Sequence, residues 1–376
     1  MKGRTLSLLS VALLLAPLVL PQLLGLAGVS QGPAAEEKRA KAEVPTLAMA
    51  AQDLPVFAKK LSSYYADNFP FRDFCIRAGN SLSMALFRES PSKSVVLGRQ
   101  GWLFNSSESE LADWLNLWQF SAEELDHAVS VLSERRDWLA RQGIAFLVVI
   151  APNKTTVYGE YLPQGFRKLG DHPRLDDLAK RLTGAGIDFL DLRPTLFAAK
   201  AKAQAYWKTD THWDDWGALL GSARIVQALG QRLKNITPIR PEDYQAVEAD
   251  VPGGDLAAML LMEGSLGERL TRMKPKFTPR AFPAQALGYK NPTTLSGRDM
   301  VIRETGDLSL PRAVFFRDSF SSAAIPFLAE HFSRSVFIWD HHFSPEIVLA
   351  EKPDVVVLEA VERYQHAVLL DNPPLP

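Results

Sequence analysis

The chain has 376 residues, of which 47% are hydrophobic and 23% charged, so it is long enough to bury a large core. Its 42 basic and 43 acidic residues give a net charge of -1, which gives no reason to expect nucleic acid as a partner. The one cysteine, Cys75, excludes an intrachain disulfide and a thiolate metal cluster, and its apolar neighbours predict a buried, inert thiol.

The first 30 residues form a predicted targeting segment. Lys2 and Arg4 precede residues 6–29, an apolar stretch long enough to span a bilayer, which takes about 20 residues. A cleaved secretory signal fits the same pattern, because Gly25 and Ala27 provide the small residues of a cleavage site. We slightly favour an uncleaved anchor. In either case the basic residues hold the amino terminus in the cytoplasm, and the rest of the chain is expected to be exported.

The targeting segment is followed by a predicted linker and then by the folded domain. Residues 31–45 are small or charged without an apolar period, which is typical of a linker. Residues 46–376 are predicted to form the domain. It begins with a helical pattern from about 55 to 88 that is broken at Pro70.

A β-hairpin and a long helix are predicted next. Short apolar runs at 95–98 and 101–104 favour the hairpin. Ser121 and Glu124 have the spacing of a capping box, which opens a helix that is predicted to run to about Gln142.

Five largely apolar runs predict buried parallel strands, because strands covered by helices on both faces lack polar alternation. These runs are 144–150, 187–190, 313–316, 335–339 and 354–358. Helical patterns separate them at 173–184, 193–204, 214–232, 320–331 and 345–351. The alternation predicts an α/β sandwich with a mostly parallel sheet, whose loops after the strands lie along one edge.

Residues 235–312 interrupt this alternation. They are rich in Pro, Gly, Thr and Arg and contain only short apolar pieces, which predicts an irregular, partly β insertion. Because the insertion ends just before the strand at 313–316, it is in a position to cover the site.

Two short motifs carry the candidate chemistry. The first is Asp210-Thr211-His212, in a loop that enters a helix capped by Asp214. In a loop, a carboxylate two residues from an imidazole can turn back onto one ring nitrogen and leave the other free as a base. The second is Ser319, where an apolar strand runs into a helix, and where backbone N–H groups can stabilise an oxyanion.

Alternative interpretations of these motifs remain open at this point. Each motif alone is often only a helix cap or a capped loop. His341 or His342, beside Asp340 at the end of the strand at 335–339, is an alternative base for Ser319. A metal site built from those three residues is disfavoured, because adjacent residues rarely converge on one ion, and no metal ion is expected.

Further segments, added to these motifs, give a resemblance to a known family. They are 68–72, 96–98, 101–104, 151–154 with Tyr158, 210–213 with 217–218, 254–257, 317–320 and 361–364. Together they resemble the alginate O-acetyltransferase family of the AlgJ and AlgX type, whose catalytic domain is similar to the SGNH hydrolases. Asp-Thr-His-Trp at 210–213 and Gly-Trp-Leu-Phe at 101–104 are the most specific pieces.

The resemblance implies an SGNH-hydrolase-like three-layer α/β/α sandwich with a permuted motif order. It implies a catalytic triad in the chain order Asp210, His212 and Ser319. Arg317 occupies the position where SGNH-type sequences usually carry glycine. It is either a ligand for an acidic sugar or the mark of a variant turn.

The hypothetical mechanism assigns roles to further residues. His212 takes the proton of Ser319 as its hydroxyl attacks an acetyl carbonyl, and the N–H of Ser319 with the Asn153 side chain holds the oxyanion. A turn residue after the strand at 144–150 is the alternative interpretation of Asn153. Four more candidates for the substrate rim are Trp102, Trp213, Lys154 and Tyr158, although for each of them packing or solvation is the favoured interpretation.

The resemblance implies transfer of acetyl groups to hydroxyls of an exported polysaccharide in the periplasm, without a cofactor. The resemblance also implies two partners. One is a membrane-bound acyltransferase that supplies the acetyl group, and the other is the inner membrane, to which the chain is tethered. A polysaccharide acetylesterase would share the same acyl-enzyme and is the first alternative. A polysaccharide-binding or assembly protein with an idle triad is the second.

Overall fold

The computed structural model describes residue 23 and residues 42–69, 72–106, 109–292 and 300–376. Apart from residue 23, the predicted targeting segment lies outside these described residues, as do most of the linker and Pro70. The chain divides into two compact units. One contains residues 1–91 with 260–262, and the other contains residues 92–259 with 263–376.

The first unit is helical where it is described. Its helices are α1 (Leu47–Gln52), α2 (Leu54–Asn68) and α3 (Arg72–Leu82), followed by a π-helical turn, Ser83–Phe87. Asp53 caps α2 by accepting a hydrogen bond from the N–H of Val56 at 3.0 Å. Cys75 is exposed on α3, so the prediction of a buried thiol is wrong. No helix in the described part of the chain is long and apolar enough to cross a membrane.

The second unit is built on a seven-stranded sheet. Its strands are β3 (Ala145–Ala151), β4 (Phe189–Asp191), β7 (Phe282–Pro283), β8 (Val301–Glu304), β9 (Arg312–Phe316), β10 (Arg334–Ile338) and β11 (Val355–Val361). The spatial order is β4-β3-β11-β9-β10-β8-β7. The first five strands are parallel, β8 is antiparallel to β10, and β7 is antiparallel to β8. The five parallel strands are the five predicted from apolar runs.

Two small antiparallel pairs accompany this sheet. The predicted hairpin is confirmed as β1 (Val95–Leu97) and β2 (Leu103–Asn105), and a second pair joins β5 (Tyr244–Val251) to β6 (Glu268–Pro275). The second pair, with β7 and β8, makes the predicted insertion partly β, as expected.

Helices complete the second unit. They are α4 (Glu110–Trp114), α5 (Ala122–Arg141), α6 (Lys154–Tyr158), α7 (Arg174–Gly184), α8 (Arg193–Lys200), α9 (Asp215–Leu229), α10 (Asp255–Met259), α11 (Ser321–Leu328) and α12 (Pro345–Glu351). The predicted capping box at the start of α5 is present, because the side chains of Ser121 and Glu124 each accept the other residue's backbone N–H.

The core lies on both faces of the sheet, as the apolar strands require. Alternate residues of β3 face opposite ways: Leu147 and Val149 pack in the cluster that includes α8, α9 and α11, whereas Val148 and Ile150 pack in the cluster that includes α5, α7 and α12. The resulting three-layer α/β/α sandwich confirms the predicted fold class. Its parallel strands bring the loops after β3, β9 and β11 to one edge.

Candidate active site

A tight loop presents the first motif. The chain from Ala205 to Asp214 folds back on itself, because the N–H of Asp214 donates to the carbonyl of Ala205 at 3.0 Å and the N–H of Trp207 donates to the carbonyl of His212 at 3.2 Å. Asp214 then caps α9 through the N–H of Gly217 at 2.9 Å, as predicted. The loop therefore holds Asp210 at its tip.

The two motifs meet in a chain of hydrogen bonds. The Nδ1 of His212 lies 2.6 Å from Oδ1 of Asp210, and its Nε2 lies 2.7 Å from Oγ of Ser319. Ser319 stands in the turn between β9 and α11, as the strand-to-helix pattern predicts. All three side chains are partly exposed, while neighbouring Thr211 and Trp213 are buried. A reactant can therefore reach the three side chains.

The surroundings of His212 and Asp210 favour a protonated imidazole beside an ionised carboxylate, the pair that forms when His212 takes a proton. Burial opposes charge on His212, but the hydrogen bond and charge of Asp210 and then the charge of Asp255 raise its pKa. Burial likewise acts to raise the pKa of Asp210, but hydrogen bonds from His212 and from the N–H of Asp255 hold that pKa below its usual range. A raised pKa makes His212 a stronger base for the Ser319 hydroxyl.

Trp213 connects the two motifs instead of lining a substrate rim. It is 1% exposed, and its indole Nε1 donates to the carbonyl of Phe320 at 2.9 Å, one residue beyond Ser319. Its ring also packs so close to Gly221 that a Cβ there would lie 2.9 Å from it. The predicted contact with a sugar is corrected to a role in holding the two loops together.

Trp102 and Tyr158 are also removed from the predicted rim. Their rings stack with centroids 4.2 Å apart and are almost completely buried. The Tyr158 hydroxyl accepts the N–H of Ala205 at 2.9 Å, at the base of the loop that carries Asp210. Tyr158 therefore holds the base of this loop, with Trp102 stacked against it, and neither ring is exposed enough to contact a sugar.

Arg317 is buried too, so the prediction that it binds an acidic sugar is wrong for this structure. Its guanidinium lies 4.5 Å from the ring centre of Trp339 and donates to the Ser322 hydroxyl at 3.0 Å. Burial lowers its pKa, against the charges of Glu359 and Asp318. The side chain occupies the space under the turn that carries Ser319.

The alternative bases lie elsewhere. The Nε2 of His341 is 3.0 Å from the carbonyl oxygen of Glu359, and burial lowers the pKa of this imidazole. His342 is exposed and its Nδ1 lies 2.8 Å from Asp340. Neither ring reaches Ser319, which is hydrogen-bonded to His212.

Asn153 lies at the start of α6, at the same edge of the sheet. Its Oδ1 accepts the N–H of Arg363 at 3.1 Å, and its own N–H donates to Glu362 at 3.0 Å. The side chain is completely buried, and its Nδ2 has no hydrogen-bond partner among the described residues. An amide held by its oxygen, with an unused donor, is suited to stabilise an oxyanion.

Lys154 has a role that the sequence did not suggest. It is completely buried, and its Nζ donates to the carbonyls of Trp207, Lys208 and Asp210 at 3.3, 3.2 and 2.5 Å. Burial lowers its pKa to about 8, against the charges of four carboxylates: Glu110, Asp255, Asp210 and Glu268. The predicted sugar contact is corrected to a buried cation that fixes the loop behind Asp210.

This arrangement predicts loss of activity in alkali. A neutral amine has two N–H donors instead of three, so deprotonation of Lys154 as the pH rises through about 8 leaves one loop carbonyl without a donor. We expect kcat to fall above that pH in wild type. In Lys154→Met we expect a loss of about 10- to 100-fold at pH 7, because small misplacements cost this much, and no further alkaline decline. Measured pH–rate profiles check this.

Lys180→Met is the matched control, because Lys180 is exposed on α7 and should leave the pH profile unchanged. An alkaline limb that persists in Lys154→Met would contradict the assignment.

Three acidic residues at the site were not singled out by sequence reasoning. Asp255 hydrogen-bonds to Thr211, Glu268 accepts the N–H groups of Lys208 and Thr209, and Glu362 accepts the N–H of Asn153. Asp255 and Glu362 lie in the segments 254–257 and 361–364, which contribute to the family resemblance, and that resemblance is the sequence signal that could have identified them. Glu268 lies in the insertion, with no local pattern around it.

One group of side chains in the described ranges has the spacing of metal ligands. It consists of Asp210, His212 and Asp255, whose ligand atoms lie within 4.8 Å of one another. The hydrogen bond between Nδ1 of His212 and Asp210 would have to break before that nitrogen could bind an ion. The expectation of a metal-free site stays a prediction.

Comparison with known proteins agrees with this fold. A family model described as an SGNH hydrolase-like domain, acetyltransferase AlgX, matches residues 95–289, just over half of the chain. The structure of Bacillus cereus PatB1 with a sulfonyl adduct superposes with a TM-score of 0.54 at 17% identity, covering 74% of this chain and 100% of that one. Similarity at this level of identity shows the fold.

Two relatives are named probable alginate O-acetylase AlgJ. The protein from Pseudomonas aeruginosa is 26% identical over 283 residues, which are 73% of this chain and 68% of the relative. The protein from Pseudomonas syringae pv. tomato is 29% identical over 212 residues, 55% of this chain and 51% of the relative. The aligned part of the chain thus spans between half and about two thirds of these relatives.

The fold defines an α/β enzyme of the SGNH hydrolase-like class. Within that class, the chain belongs to the acetyltransferase AlgX family. The predicted family resemblance is confirmed. The family match includes Asp210 and His212, whereas Ser319 lies beyond its last residue.

Proposed function

We propose that this chain is a polysaccharide O-acetyltransferase that works through an acetyl ester on Ser319. The observation that carries the proposal is a pair of hydrogen bonds that share the His212 ring. Its Nδ1 lies 2.6 Å from Asp210 and its Nε2 lies 2.7 Å from the Ser319 hydroxyl. Its membership of an acetyltransferase family, and relatives named as probable alginate O-acetylases, support acetyl as the group and a polysaccharide as the acceptor.

The proposed reaction has two symmetrical halves. Ser319 Oγ attacks the carbonyl carbon of an acetyl ester while Nε2 of His212 takes the hydroxyl proton, and the leaving alcohol then takes that proton from the imidazolium. A sugar hydroxyl next attacks the acetyl-serine, gives its proton to His212 and leaves with the acetyl group. The proton returns to Ser319. Asp210 keeps the imidazole in the required tautomer throughout.

In both halves a negative charge develops on the carbonyl oxygen. We assign the backbone N–H of Ser319 and the Nδ2 of Asn153 to its stabilisation. The unpartnered, buried Nδ2 supports this assignment, because such a donor carries a cost in the free protein that a developing oxyanion removes.

We also propose that the enzyme acts in the periplasm, tethered to the inner membrane, with a membrane-bound acyltransferase as the source of acetyl groups. The support is the basic start and the apolar stretch at 6–29. Alkaline phosphatase fused to the carboxyl terminus should be active in cells, and an inactive fusion would contradict export.

The proposed function can be tested with the full-length chain, a chromogenic acetyl ester as donor, and two acceptors. These are a polyuronate oligosaccharide and a neutral glucan of equal length. We expect an acetylated Ser319 peptide by mass spectrometry and acetyl ester on the polyuronate. Ser130→Ala, an exposed position on α5, is the matched control, and Ser319→Ala should give neither product.

The outcomes separate the alternatives. Release of acetate at a rate that no acceptor changes would favour an acetylesterase. Polysaccharide binding without any acyl-enzyme would favour a binding or assembly protein with an idle triad.

A further inference from the structure

A second carboxylate faces the Asp210–His212 pair from the insertion. Oδ1 of Asp255 accepts the N–H of Thr211 at 2.8 Å, and its Oδ2 accepts the Thr211 hydroxyl at 2.6 Å. In the other direction, the N–H of Asp255 donates to Oδ2 of Asp210 at 2.8 Å. Three hydrogen bonds therefore join this residue to the segment that carries the acid and the base.

The backbone around Asp255 is fitted to the same segment. The N–H groups of Leu256 and Ala257 both donate to the carbonyl of Thr209 at 3.1 Å, and the N–H of Gly254 donates to the Thr209 hydroxyl at 3.0 Å. The start of α10 and the buried Lys154 thus hold different backbone carbonyls of the same loop.

Asp255 also adds charge. Its Oδ2 lies 3.7 Å from Nδ1 of His212, beyond a hydrogen bond but close enough for a direct electrostatic effect. The charged groups that act on the imidazole are Asp210 and Asp255, which favour the imidazolium, and Arg363, which opposes it. The other ring nitrogen, Nε2, is hydrogen-bonded to the Ser319 hydroxyl.

We propose that Asp255 is a positioning residue of this site, which fixes the Asp210–Thr211–His212 segment and supplies a second negative charge beside His212. The assignment deepens the proposed function, in that the imidazolium it stabilises is the one formed when Ser319 is acylated. The orientation of the ring and its charge are properties of the resting protein, so they can be measured without turnover.

The decisive measurement is an NMR titration of the His212 imidazole in full-length protein, assigned by its disappearance in His212→Gln. In Asp255→Asn we expect the His212 pKa to fall, because one of the two negative charges is gone. In Asp255→Glu, which keeps the charge, the pKa should stay near the wild-type value. Asp250→Asn removes an exposed carboxylate of β5 in the same insertion and should change nothing.

Kinetics provide the second readout. In Asp255→Asn the acidic limb of kcat/KM should move to lower pH together with the NMR titration. The plateau should fall by about 10- to 100-fold, the range that supporting partners of functional groups show at metal sites. Thr211→Val, which removes the hydroxyl and keeps the carboxylate, should lower the plateau without moving the limb.

An unchanged His212 titration in Asp255→Asn would overturn the proposal. So would an equal fall in Asp255→Asn and Asp255→Glu, since that pattern reports a general disturbance and not a charge. A wild-type protein without acyl transfer would count against the proposed function alone, because the titration would still decide the role of Asp255.

Discussion

Ser319→Ala should slow acetyl ester turnover by about 10⁴- to 10⁶-fold, because serine triads lose this much when the nucleophile is removed. In this structure no other hydroxyl is hydrogen-bonded to His212 Nε2, among the residues that the structure describes. The variant should keep the wild-type melting temperature, since the Ser319 side chain is partly exposed. Steady-state kinetics with a chromogenic acetyl ester measure the change in kcat.

The same pair of hydrogen bonds makes a prediction about double variants. His212→Ala alone should cost nearly as much as Ser319→Ala, and the pair together should cost little more than either. Effects that multiply instead would show that the two residues do not act as a unit. An undiminished rate in His212→Ala would assign the base to another residue and contradict the role of His212.

Gly254→Ala should reduce kcat by about 100-fold or more, although Gly254 has no side chain that could take part in the reaction. A Cβ at this position would lie 2.3 Å from Cβ and 2.4 Å from Oδ2 of Asp210. Asp210 must therefore move, and a displacement of about 1 Å at a catalytic group can cost 10²-fold. The measurement is kcat with the chromogenic ester, accompanied by a thermal melt.

Gly264→Ala is the matched control for that substitution. Gly264 also lies in the insertion, but a Cβ there would meet no atom within 4 Å. We expect wild-type activity from Gly264→Ala. Equal activity in Gly254→Ala and Gly264→Ala would mean that Asp210 tolerates displacement, and it would contradict a need for its exact position.

The sheet and its helices were predictable because their signals are local. Runs such as 144–150 and 355–358 are apolar at every position, a pattern that is typical of strands buried on both faces. The Ser121 capping box likewise depends on residues three apart. The Asp210–His212 contact is also local, since a loop carboxylate two residues away can reach the ring.

The supporting residues were not predictable in the same way. Lys154, Trp102 and Tyr158 are candidate rim residues by sequence, because their polar or aromatic side chains suit contact with a sugar as well as packing. In the structure all three are buried, and the polar ends of Tyr158 and Lys154 reach the backbone of Ala205 and Asp210, about 50 positions away. Burial of a polar group depends on which carbonyls the fold brings near it, and a single sequence does not specify these partners.

The spacing of the three site residues along the chain has a consequence for folding. The Asp210–His212 bond closes a loop of two residues, whereas the His212–Ser319 bond joins positions 107 residues apart. Closing the longer loop costs more entropy, and Ser319 follows β9, which pairs with both β10 and β11. Asp210 and His212 are neighbours along the chain, whereas Ser319 reaches His212 only after this long loop has closed, so the recovery of acetyl ester turnover during refolding would report that long-range contact.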